Sequence, residues 1–132
     1  MELRKKTEMI VVHCAATKAS MDIGATEIKK WHVDDNGWDD IGYHYIIKRG
    51  GLVEVGRPEG FQGAHAPAAN SKSIGVCLIG GMGDDNGPEN NFTLEQFLSL
   101  KDLIKRLKMT NPNIVEIVGH SDIQDNKPNC PG

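Results

Sequence analysis

The segment VEIVGHSDIQDNKPNCPG, residues 115–132, carries an imidazole, an amine and a thiol at His120, Lys127 and Cys130. Imidazole and thiolate ten positions apart, 130 minus 120, suit a borderline-soft cation such as zinc, which accepts nitrogen and sulfur ligands together. Two ligands do not make a site, so a third has to come from another part of the chain. His13 is the candidate, because it follows the apolar run at 9–12 just as His120 follows the run at 114–118. Two neutral imidazoles and one thiolate leave one tetrahedral position for water, the composition of a catalytic zinc centre rather than a closed structural one. The plainer role for His13 is a rim histidine bonded to backbone, and for Lys127 a loop amine in water.

Such side chains need a frame. The β-branched apolar runs at 9–12 and 114–118 predict buried strands. Gly119 ends the second, and a loop rich in Pro and Asn then carries His120, Lys127 and Cys130. Side chains alternate along a strand, so His13 and Cys14 point to opposite faces and only one joins a given site. If the two strands are parallel neighbours their ends meet at one rim, where open α/β sheets bind ligands.

The rest of the chain supplies the remaining layers. Residues 25–36 predict a helix stopped by Asn36-Gly37, with His32 a partly exposed histidine near its end. Runs at 43–47 and 52–55 around Gly50 and Gly51 predict a hairpin. Alternation puts Tyr43, Tyr45 and Ile47 on one face and His44 and Ile46 on the other, so Tyr43 and His44 would not share a site. Residues 56–73 predict a loop holding His65. Residues 73–79 predict a central strand in which Cys77 is a small buried hydrophobe. Asp84-Asp85-Asn86-Gly87 lacks the ligand spacing of a calcium loop and reads as solvated. Thr93 and Gln96 form a capping box, with Phe92 and Phe97 as its hydrophobic staple. Phe97, Leu100, Ile104 and Leu107 then recur as one face of a helix running to about Lys108. The expected class is α/β, a single domain over residues 1–132 with a central mixed β-sheet flanked by α-helices.

Composition narrows the function classes. A formal net charge of −3 with 25% charged residues gives no basic footprint for nucleic acid or an anionic membrane. The apolar run at 9–12 is far too short for a signal-peptide core or a membrane span, so the chain is expected to be cytoplasmic on synthesis. Three cysteines, Cys14, Cys77 and Cys130, are an odd number without framework spacing, which fits a reducing compartment.

The sequence resembles the zinc-dependent N-acetylmuramoyl-L-alanine amidases, a family that includes amidase-type phage lysozymes and catalytic peptidoglycan recognition proteins. The resemblance rests on VVHCAATK (11–18), WDDIGYHYIIKR (38–49), GAHA (63–66), SIGVCLIG (73–80), Gly119-His120 and Cys130-Pro131. It spans nearly the whole chain. It implies one zinc ion held by His13, His120 and Cys130, a catalytic tyrosine at Tyr43 and a catalytic lysine at Lys127. His65 would line the substrate groove. In that chemistry zinc brings the pKa of water down to about 7 and polarises the scissile carbonyl. Tyr43 and Lys127 would donate hydrogen bonds to the oxyanion that develops, and one of them would pass a proton to the leaving L-alanine nitrogen. The expectation is a monomeric phage or prophage endolysin that cleaves the bond between N-acetylmuramic acid and L-alanine and acts on the cell wall after release. Two rivals stand beside it: a peptidoglycan-binding module without turnover, and a protein-binding regulator.

Overall fold

A computed structural model describes residues 1–87 and 89–119. The elements, in chain order, are β1 (Met9–Cys14), β2 (Thr17–Lys18), α1 (Ala25–Lys30), β3 (Tyr45–Ile47), β4 (Val53–Val55), β5 (Ser73–Leu78), β6 (Gly81–Met82), α2 (Leu94–Thr110) and β7 (Glu116–Gly119). Five strands form a sheet in the order β4-β3-β5-β1-β7, and β2 pairs with β6 beside it. Strands β3, β5, β1 and β7 run parallel, whereas β4 is the antiparallel arm of the hairpin. The mixed α/β sheet expected from the sequence is therefore the fold.

Parallel central strands are covered on both faces and so read as continuous apolar runs. That is the character of β1 and β5. On one face, Ile10 and Val12 of β1 and Ile74, Val76 and Leu78 of β5 pack with Leu103 and Leu107 of α2. On the other, Met9 and Val11 meet Ala66 and Ala69 of the 56–72 connection. Farther along that face, Ile46 and Cys77 meet Ile28 of α1 and Ile41. His13 belongs to this second face, because it is the register partner of Cys77.

Helix α2 starts where its capping box predicts. Thr93 Oγ1 accepts from the Gln96 N–H at 3.0 Å and Gln96 Oε1 accepts from the Thr93 N–H at 3.0 Å. Phe92 and Phe97 meet edge to face, with centroids 6.0 Å apart.

Three expectations need correction. The helix predicted over 25–36 is α-helical only to Lys30, after which Trp31–Asp35 form a π-helical turn. Gly37, at φ +72°, supplies the expected left-handed stop. The last predicted strand is shifted to Glu116–Gly119 and is an edge strand among the described residues, with Val115 78% and Ile117 41% exposed. Its β-branched composition correctly marked a strand but overstated its burial. The alternation assumed for residues 43–47 fails because β3 begins only at Tyr45. Tyr45 packs with the α2-side cluster and Tyr43 with the opposite one, so the two tyrosines separate.

Candidate functional site

Position 13 is the penultimate residue of β1, and its imidazole is 1% exposed on the face away from α2. Two rings close around it. Tyr43 lies 5.1 Å from it by ring centroids, tilted by 52°. His65 stands edge-on at 4.9 Å, and its Nδ1 is 2.8 Å from His13 Nε2. Residues 52 positions apart in the chain thus share a hydrogen bond, because the 56–72 connection folds back across β5.

The sheet leaves room for His65 through absent side chains. A Cβ on Gly75 would lie 2.6 Å from His65 Cγ, and one on Gly63 would lie 2.5 Å from His65 Cδ2. Those separations exclude any larger residue unless the ring moves. The loop is pinned next to it: Asn70 Oδ1 accepts from the His65 and Ala66 N–H groups at 3.0 and 2.8 Å. Ser73 Oγ lies 3.3 Å from His65 Nε2 and donates to the Ala69 carbonyl at 2.7 Å.

A second ring of groups holds the approach to β3. His44 is wholly buried; its Nδ1 accepts from the Gly75 N–H at 3.0 Å and its Nε2 is 2.7 Å from the Phe61 carbonyl. Burial above all, with Arg4 and Arg57 adding to it against the pull of the Phe61 carbonyl, lowers its pKa to about 4. His32, on the π-helical turn, accepts from the Gly42 N–H at 2.8 Å and packs, tilted by 53°, against Trp38 and Tyr43 with ring centroids 4.5 and 5.5 Å away. Its pKa is lowered by burial and then by Arg57. The buried Arg57 donates to the Ile41, Gln62 and Asp40 carbonyls, fixing the loop that leads to Tyr43.

Of the residues singled out in the sequence, His13, Tyr43 and His65 come together, whereas His120, Lys127 and Cys130 lie outside the described residues. His44 joins the cluster from the same side as Tyr43, its ring 5.7 Å from that of His65, contrary to the alternation argument. Cys77 is a buried hydrophobe, its thiol pKa pushed up by burial and then by Cys14, against the Tyr43 side chain. Among the described residues no three His, Cys, Asp or Glu side chains are grouped to hold a metal ion. Asn70, Ser73, Gly63 and Gly75 escaped the sequence reading; the glycines on either side of a histidine-bearing loop were the one available signal.

A model of the N-acetylmuramoyl-L-alanine amidase family matches residues 3–132. The chain is 46% identical over 120 residues to the endolysin of Enterobacteria phage K11, covering 91% of this chain and 78% of that protein. It is 50% identical over 104 residues to the endolysin of Escherichia phage T7, covering 79% and 68%. Among solved structures it is similar to the N-acetylmuramoyl-L-alanine amidase LysC from Clostridium intestinale URNW. That match has a TM-score of 0.81 and 30% identity, and covers 96% of this chain and 77% of that one.

Proposed function

The chain belongs to the N-acetylmuramoyl-L-alanine amidase family, and from that premise we propose that it hydrolyses the amide between N-acetylmuramic acid and L-alanine as a zinc-dependent phage or prophage endolysin. Its substrate is peptidoglycan, and its place of action is the cell wall. The zinc ligands are His13, His120 and Cys130.

One observation carries the ligand set. Parallel register pairs Val12 with Gly119, and the next residue of each segment is a histidine. The described part of β7 therefore ends beside the residue that precedes His13, and two imidazoles with the Cys130 thiolate make a donor set that zinc prefers. His13 fits the group: it is buried and its Nε2 is committed to His65, so Nδ1 is the nitrogen to offer a metal.

When bound, zinc supplies Lewis acidity, polarising an amide carbonyl and acidifying water near neutral pH. The protein residues supply the rest. Tyr43, whose ring lies against that of His13, donates a hydrogen bond to negative charge developing on the carbonyl oxygen. Lys127 offers a second, cationic donor, and one of the two returns a proton to the L-alanine nitrogen. His65 lines the substrate groove.

Release of new L-alanine amino termini from purified cell walls tests this reading. The wild-type chain is expected to release them, and His13→Ala or Cys130→Ser to abolish release together with bound zinc. Wall binding without release by the wild type would point instead to a binding module.

A further inference from the structure

We propose that His65 is a positioning residue that decides which nitrogen of His13 carries the proton, so that Nδ1 holds the lone pair a metal requires. The functional consequence rests on the zinc reading above; the proton placement does not. The argument begins at a group with no choice. The Ala69 carbonyl can only accept, so Ser73 Oγ, 2.7 Å away, gives its single hydrogen to it. Ser73 Oγ is then an acceptor toward His65 Nε2 at 3.3 Å, which must bear a hydrogen. Burial favours neutral rings, and a neutral imidazole protonated at Nε2 is an acceptor at Nδ1. His13 Nε2, 2.8 Å from that Nδ1, must therefore be the donor. A neutral His13 protonated at Nε2 carries its lone pair on Nδ1.

The polarity thus runs one way along four groups, from His13 through His65 and Ser73 to a backbone oxygen. Metal-binding histidines owe their tautomer and orientation to such a partner, and loss of the partner weakens metal binding by about 10- to 100-fold. The imidazole is seated firmly enough to act so, since Gly63 and Gly75 bracket it and Asn70 holds its backbone N–H.

Nitrogen-15 NMR of histidine-labelled, metal-free protein at neutral pH reads the tautomer directly. His13 is expected to show a protonated Nε2 and an unprotonated Nδ1; the opposite pattern overturns the proposal. Ser73→Ala removes the anchor of the polarity and is expected to leave His13 as a mixture of tautomers, and an unchanged pattern there also overturns it. Zinc affinity, measured by competition with a chromophoric chelator, should fall about 10- to 100-fold in His65→Ala. It should recover most of that loss in His65→Asn, whose Oδ1 occupies nearly the place of Nδ1 and can only accept. Unchanged affinity in a folded His65→Ala protein contradicts the positioning role. If the wild type binds no zinc, the zinc reading fails, while the NMR experiment still judges the proton placement.

Discussion

At the scale of single residues, His44 sets a pH dependence of stability. Its neutral ring satisfies the Gly75 N–H at Nδ1 and the Phe61 carbonyl at Nε2, and a second proton would break the first of these bonds. Burial holds its pKa down at about 4, against about 6.5 for an unfolded histidine. Between those values the unfolded chain binds more protons than the folded one, so stability falls as pH falls. The loss approaches about 3 kcal/mol once pH is below about 4, at roughly 1.4 kcal/mol per unit. Urea melts of metal-free protein at pH 7 and pH 4.5 should show most of that fall in the wild type and a smaller difference in His44→Gln. A second prediction concerns Gly75. The Cβ of Gly75→Ala would meet His65 Cγ at 2.6 Å, so zinc affinity should drop about tenfold or more without loss of any hydrogen-bonding group. Equal affinity in the two proteins, by chelator competition, would show that the ring has slack.

At the scale of elements, one buried amide ties the start of α2 to two strands at once. Gln96 Nε2 donates to the Ile47 and Ile79 carbonyls at 3.1 and 2.7 Å, at the ends of β3 and β5, while its Oε1 caps the helix. Gln96→Leu takes one of two donors from each carbonyl, which keep the Ile79 N–H and the Arg49 guanidinium, and leaves the Thr93 N–H without its side-chain acceptor, so it should cost about 1–3 kcal/mol. Thr93→Ala, which removes the N-cap and the hydroxyl's bond to the Arg49 carbonyl, should cost about 1–2 kcal/mol. Denaturant melts with unchanged slopes would check both. The cap was legible because its partners lie three residues apart; the tie to β3 and β5 was not, because its partners are 49 and 17 residues away. Local pattern likewise revealed every strand of the five-stranded sheet but not the exposure of β7. Alternation also misled at Tyr43, since it holds only inside a strand and β3 starts two residues later.

At the scale of the molecule, the site is a product of topology. Parallel pairing of β1 with both β5 and β7 brings His13 beside Cys77, and the connection before β5 returns His65 to it. The sequence showed which side chains could bind a soft cation, but not that His65 turns inward toward His13, because nothing local encodes a contact across 52 residues. Metal binding to the folded chain alone adds stability by mass action, about 2.7 kcal/mol at a hundredfold excess over Kd. Zinc should therefore raise the melting temperature of the wild type and leave that of His13→Ala in place. The most direct test of the central claim is zinc titrated back into stripped protein while L-alanine amino termini released from peptidoglycan are counted. Activity should return in proportion to zinc and saturate at about one ion per chain. Full release by the stripped protein, or undiminished zinc uptake by both His13→Ala and Cys130→Ser, would contradict it.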